Sequence, residues 1–275
     1  MDRFHLYRMI DLLGRPIVLV VLLLTLFFLI LPIVITIIIS FDPRSYLAYL
    51  PPPALSVRWY ESFLRNPNFM QGLRTSVVVG GVSTLISTVL GIFASYGLVR
   101  YDFRGKESLN NFFLSPLVVP SVVTGFALLG FLSTVGIRGS LERLMIAHVI
   151  ITLPYTIRTV SATLTGFDRS LEEAALNLGA TPVRTFLDVT LPMIKFGVVA
   201  GAVFAFAMSL DDVSVSIFLA DAFSSTLPVN LFAYMKSTFD PTVAAASVLL
   251  MGFTVGIIIV IEKVMGLDKF VGIGV

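Results

Sequence analysis

Long apolar runs alternate with short polar segments along the whole chain, and six of the runs are close to the roughly 20 residues a helix needs to cross a bilayer. They lie at about 16–40, 72–99, 109–133, 141–165, 193–219 and 243–264. None shows the alternation over about ten residues that marks a membrane β-strand. The first run is rich in Leu, Ile and Val and is expected to stand at the periphery. The second to fifth carry small residues at frequent intervals, as in Gly80, Gly81, Ser83, Ser87, Gly91, Ala94 and Ser95. Small residues let helix backbones approach closely in lipid, so these runs are expected to form the packed bundle. The pattern predicts an all-α membrane protein with six transmembrane helices. It reads as a single domain over 1–275, with a core bundle at about 70–265 and a peripheral first helix. That first run is too long for a removed signal peptide and lacks a small-residue cleavage site, so it reads as an anchor.

Composition agrees. Hydrophobic residues make up 56% of the chain and charged residues 13%, against about 25% in soluble domains. The net charge of +2 gives no reason to expect nucleic acid. The absence of cysteine excludes disulfides, thiolate metal sites and cysteine catalysis. Charge also sets orientation, because Lys and Arg accumulate on the cytoplasmic side. Arg3, Arg8 and Arg15, then Arg100, Arg104 and Lys106, then Arg169, Arg184 and Lys195, and finally Lys263 and Lys269 share one side if the helix count is even. The other side holds a thinner set: Arg44, Arg58, Arg65, Arg138 and Lys236. Both termini and the segment at about 168–192 are therefore expected in the cytoplasm, with outer loops at about 41–71, 134–140 and 220–242.

The segment at 168–192 is polar and helix-forming where a short loop would suffice. Ser170 with Glu173 three residues on reads as a capping box, and Glu172 and Glu173 suit the positive end of a helix. Leu171, Ala174, Ala175 and Leu178 share one side at helical spacing. Gly179 supplies a left-handed stop, and Thr181-Pro182 starts a second helix that runs toward a proline break at Pro192. The result is a two-helix elbow. Its small alanine face favours docking by a partner; an interfacial amphipathic hairpin is the plainer alternative.

The fifth run contains Asp211-Asp212 inside an apolar stretch, with Ser209, Ser214 and Ser216 nearby. A charge at the bilayer centre costs on the order of 2.5–3.5 kcal/mol, so these carboxylates must meet water, a cation or a partner. Adjacent residues point about 100° apart on a helix, so one is expected to face the pathway and the other a neighbouring helix; the plainer alternative is that an Asp only bonds a neighbouring helix or marks a helix break. Arg158 either snorkels to the interface or pairs with an acid of the bundle. Glu142 and Arg143 read as interface anchors, and Trp59 and Tyr60 as part of an aromatic belt. His5 and His148 are isolated in sequence and suggest neither a metal site nor a general base. No catalytic triad is visible.

At the elbow the sequence resembles a known family. Glu173-Ala174-Ala175, Gly179, Val189 and Leu191-Pro192 match the motif of bacterial ATP-binding-cassette importer permeases, with Val in the usual Ile place. Arg100-Tyr101-Asp102-Phe103-Arg104-Gly105-Lys106 and Ser209-Leu210-Asp211-Asp212-Val213 look like the second permease subunit of spermidine/putrescine-type importers. The resemblance implies a type I importer permease fold in the bacterial inner membrane and no enzymatic activity in this chain. It implies a homologous second permease, an ATPase dimer and a periplasmic solute-binding protein as partners, with lipid around them. The chain has no phosphate-binding Gly-x-x-x-x-Gly-Lys-Ser/Thr, so ATP and Mg belong to the ATPase and no cofactor or metal to this chain. Glu172, Glu173, Ala174, Ala175, Gly179, Ala180 and Pro182 would form the coupling surface. Ser209, Asp211, Asp212 and Ser121 would line the solute path, and Trp59, near the docked binding protein, is a further candidate for it. Polyamine members tend to carry Asp after the proline of the third run, where this chain has Pro120-Ser121. A polyamine is the expected solute; an amino-acid-like or opine-type solute is the alternative. A stand-alone proton-coupled carrier or an intramembrane enzyme using the Asp pair is the rival from another class.

Overall fold

The computed structural model describes residues 3–46 and 49–265. Lys269, and the side chains of Arg3, His5, Arg8 and Arg15, lie outside the described residues. Regular structure within the described residues is helical throughout. In chain order the helices are α1 (Arg3–Ser40), α2 (Arg58–Arg65), α3 (Pro67–Arg100), α4 (Lys106–Leu114), α5 (Ser121–Thr134) and α6 (Ser140–Gly166). They continue as α7 (Ser170–Asn177), α8 (Pro182–Thr185), α9 (Leu191–Asp211), α10 (Ser216–Leu219), α11 (Leu227–Met235) and α12 (Thr242–Met265).

Contacts divide the chain into two units, where the sequence reads as one domain. The first holds the described residues through Arg65 together with Thr238–Phe253. In it, the middle of α1 carries Leu, Val and Phe side chains that are exposed on every face, from Ile17 to Ile30. A helix apolar all round and not buried in protein is a helix for lipid. The segment after α1 is pinned by polar contacts. Ser40 Oγ and the Tyr60 hydroxyl are 2.6 Å apart, and Arg44 grips the Asp42 carboxylate with Nη2 at 2.6 Å from Oδ2.

The second unit holds Asn66–Ser237 and the described residues from Thr254. Its centre is α3, α6 and α9, packed on one another as the small-residue pattern predicts. Ser83 Oγ donates to the Met145 carbonyl at 3.1 Å, Ser95 Oγ to the Ile157 carbonyl at 3.0 Å, and Thr156 Oγ1 to the Ser87 carbonyl at 2.9 Å. Hydrogen bonds of this kind between membrane helices contribute about 0.6–2 kcal/mol each. Gly91 sits where a Cβ would collide with the Thr156 side chain, so the α3–α6 approach depends on its having none. Val79, Leu144, Ala147, Val215 and Leu219 fill one buried cluster, and Val160, Leu164 and Ile194 another.

Three features differ from the pattern. Among the described residues five helices are long and apolar enough to span a membrane, and the predicted third span is a bent pair. Lys106–Leu117 and Ser121–Thr134 meet at 105°, with the break at 118–120. Pro120 explains it: proline lacks an N–H and drives the preceding residue, Val119, out of the helical region. The fifth span does not run to residue 219. It stops at Asp211, and α10 starts a new turn at Ser216. The segments expected on the outer side are not plain loops either, since they contain α2 and α11.

Candidate functional site

The two helix breaks face each other across a cavity of about 530 Å³. One wall is Leu117, Val119, Ser121 and Thr124 from the bent pair; the other is Asp211 and Asp212 at the end of α9. Ile151 and Tyr155 of α6 and Ser214 after the α9 break also line it. Ser121 and the adjacent pair Asp211-Asp212, 90 residues further along the chain, are thus brought together.

The two aspartates differ. Asp212 has extended backbone (φ −70°, ψ 123°), and its side chain is 11% exposed. Its carboxylate accepts the N–H of Val215 at 3.2 Å and of Ser216 at 2.8 Å, and the Ser216 hydroxyl at 2.8 Å. It therefore acts as the cap of the following turn, which is why the helix stops there. Asp211 is exposed and lines the same cavity. Its carboxylate makes no hydrogen bond or ion pair among the described residues, so its oxygens stay available to whatever occupies the cavity.

Behind this wall lies a residue that sequence reasoning set aside. His148 of α6 is fully buried, with Nδ1 at 2.6 Å from Ser209 Oγ and Nε2 at 2.9 Å from Ser216 Oγ. Nothing in its sequence neighbourhood marks it; the only clue is a histidine within a membrane run, itself a costly position. Ser209 is 2% exposed, so it supports the wall through His148 and does not line the cavity. Trp59 is likewise not part of the lining. It is 4% exposed in the first unit, with its indole N–H donating to the Asp42 carbonyl at 2.6 Å and the Arg58 guanidinium over its ring at 4.3 Å. Arg158 is exposed on α6 and forms no ion pair among the described residues.

A second cavity of about 440 Å³ lies among Asn66, Phe69, Gln71, Asp221, Asn230 and Tyr234. Several of its polar side chains are already committed. Gln71 donates to the Phe223 carbonyl at 2.7 Å, Asn230 to the Asn68 carbonyl at 2.8 Å, and Asp221 accepts the N–H groups of Phe223 and Ser224.

The elbow forms as two helices with two corrections. The first turn of α7 is capped by Asp168, whose Oδ1 accepts the Ser170 N–H at 2.9 Å. Ser170 and Glu173 make no capping box, because an Asp acceptor stands two residues upstream and Glu173 pairs with Arg169 at 3.3 Å. The backbone hydrogen bond from Ser170 holds the Asp168 carboxyl below its ordinary range. Second, Glu172 is 6% exposed and faces inward. Its Oε2 pairs with Arg100 Nε at 2.9 Å, and its Oε1 accepts the Thr190 hydroxyl at 2.6 Å. The Arg100 guanidinium also lies over the Phe167 ring at 5.5 Å.

The stop at Gly179 is as expected. Its φ is +88°, its N–H bonds to the Leu176 carbonyl at 3.0 Å, and the Ala180 N–H bonds back to the Ala175 carbonyl at 3.1 Å. These two bonds are the Schellman pairing that a left-handed residue makes possible. Thr181 caps α8, accepting from the Arg184 N–H, and Pro182 takes its first position. Pro192 does not break the chain. A π turn over Phe186–Thr190 carries α8 into α9, with Leu191 N–H bonded to the Phe186 carbonyl, so the helix passes through Pro192 although proline brings no N–H of its own. Glu173, Ala174, Leu178, Gly179 and Pro182 are exposed, while Ala175 and Ala180 are half-buried.

Residues 87–264 match the family described as binding-protein-dependent transport system inner membrane component. The chain belongs to this family. Over 87% of its length and 86% of the relative's, it is 34% identical to the putrescine transport system permease protein PotI of Escherichia coli (strain K12). It is 30% identical to the spermidine/putrescine transport system permease protein PotC of Haemophilus influenzae, covering 86% of this chain and 91% of that one. Among solved structures it is similar in fold to a chain of a bacterial transporter that imports the acidic polysaccharide alginate, with a TM-score of 0.70 at 15% identity over 94% of this chain and 97% of that one. A chain of the MetNI methionine transporter has a TM-score of 0.57 at 19% identity, covering 77% and 97%. The permease is a membrane subunit of an ABC importer, with the type I importer fold.

Proposed function

We propose that this permease passes a polyamine or a related organic cation through the cavity at Asp211 by alternating access, driven by a partner ATPase that docks on the exposed face of the elbow. The observation that carries the reading is Asp211. It is a carboxylate without a partner among the described residues, open to a cavity at the end of an apolar helix. In apolar surroundings such a charge needs compensation, and an arriving cation supplies it. The names of PotI and PotC, which are putrescine and spermidine permeases, support a cationic solute. The neutral Ser121 opposite Asp211 favours a second reading, an amino-acid-like or opine-type solute carrying a single positive group.

The machine is completed by a second, homologous permease, an ATPase dimer that holds ATP and Mg, and a solute-binding protein on the outer side. Both termini and the elbow face the cytoplasm of the bacterial inner membrane, and this chain is not an enzyme. Uptake of labelled putrescine into proteoliposomes holding the assembled transporter tests the reading. Asp211→Asn should cut uptake about tenfold or more, the loss expected when a charged contact disappears. Normal uptake and normal ATPase stimulation in both Asp211→Asn and Asp212→Asn would falsify the pathway role. Transport by this chain with no ATPase present would instead favour a stand-alone carrier.

A further inference from the structure

We propose that His148 is the positioning residue of the cavity: its imidazole ties the last turn of α9 to the first turn of α10 across the break at Asp212, and so sets where both aspartates stand. The proposal rests on the cavity being the solute path, and it names the residue that shapes that path.

The direction of each hydrogen bond follows from its partners. Asp212 Oδ2 accepts the Ser216 N–H and the Ser216 hydroxyl, both at 2.8 Å. Ser216 Oγ has then used its one proton, so it accepts from His148 Nε2–H at 2.9 Å. A neutral imidazole protonated on Nε2 carries a lone pair on Nδ1, which takes the Ser209 hydroxyl proton at 2.6 Å. One chain runs from Ser209 through His148 and Ser216 to Asp212 with every donor pointing the same way, and such chains strengthen their members. His148 Nε2 stays 3.9 Å from Asp212 Oδ2, so the ring acts on the carboxylate through Ser216.

The need for such a tie is physical. A helix broken inside an apolar environment frees backbone groups that must find partners, and its two ends are no longer held in register. Asp212 satisfies two N–H groups of the new turn. The ring fixes the separation of the two ends, because Ser209 lies on α9, Ser216 on α10, and His148 on a third helix, α6. Leucine would fill the same space and hold neither end. No amide replaces both nitrogens: Asn reaches the Nδ1 position and Gln the Nε2 position, so the two links can be severed separately.

The test uses the assembled transporter in proteoliposomes. The chain has no cysteine, so Ser214→Cys in the cavity lining gives a thiol whose labelling rate reports the wall independently of the solute. His148→Leu should raise KM for putrescine about tenfold, with a smaller change in turnover at saturation, and should shift the Ser214→Cys labelling rate. His148→Gln should behave like Ser209→Ala, and His148→Asn like Ser216→Ala. Each matched pair, when combined, should lose no more than its worse member. If His148→Leu does not assemble, the Gln and Asn variants decide by the same matching. Unchanged KM and unchanged labelling in the His148 variants would overturn the proposal. A wild-type transporter that ignores putrescine while labelling still depends on His148 would overturn the polyamine reading and leave the positioning role standing.

Discussion

Glu172 and Glu173 are neighbours with opposite duties. Glu173 is exposed and available to a partner, whereas Glu172 is buried between Arg100 and Thr190. Removing one member of a buried pair leaves the other charge uncompensated, at a cost of about 3–5 kcal/mol. Glu172→Ala should therefore lower the thermal unfolding midpoint of the purified permease and expose the elbow to protease. The exchanged pair Arg100→Glu with Glu172→Arg should recover part of the loss, and equal stability of Glu172→Ala and wild type would contradict the pairing. Sequence could place both glutamates at the positive end of a helix. It could not assign their faces, because that depends on Arg100, which arrives from a different span.

At the scale of elements, the elbow was legible where local chemistry decides and misread where two local rules compete. Gly179, Thr181 and Pro182 act as their residue types require. The start of α7 does not, since Asp168 captures the Ser170 N–H that a capping box would have used differently. This cap titrates. The folded-state carboxyl of Asp168 sits below its ordinary value of 3.8, so its contribution is fully present above that value and is lost as pH falls through the lowered one. Amide exchange at Leu171 and Glu172, corrected for intrinsic rates, should be flat from about pH 7 to about pH 5 and should rise only in stronger acid. Asp168→Asn should remove that acid step. The six apolar runs predicted the bundle and its small-residue contacts, but the breaks after Leu117 and Asp211 were invisible to hydropathy. A run of apolar residues reads the same whether the helix inside it is whole or interrupted. Pro120 was the available signal for one break, and Asp212 as a cap for the other. Asp211 and Asp212 were singled out by their cost in lipid and Ser121 through the family resemblance; His148 was not, because its partners lie 61 and 68 residues away.

For the whole molecule, the charge bias gives a direct test of sidedness. Because the chain lacks cysteine, Ser170→Cys and Ser237→Cys can be labelled one at a time in intact cells with an impermeant thiol reagent. Ser237→Cys should react from outside and Ser170→Cys only after the membrane is opened; the reverse order would invert the orientation. The π turn at Phe186–Thr190 has a mechanical consequence once that orientation is granted. It makes Pro182–Asp211 one helical path of 30 residues, about 45 Å at 1.5 Å per residue. With the elbow as the proposed docking face and Asp211 as the proposed solute contact, the two are joined by one helical path that passes through the π turn and Pro192. A push on the elbow would then travel along that path, and the places where it can bend are the π turn with Pro192 and the break that Asp212 makes.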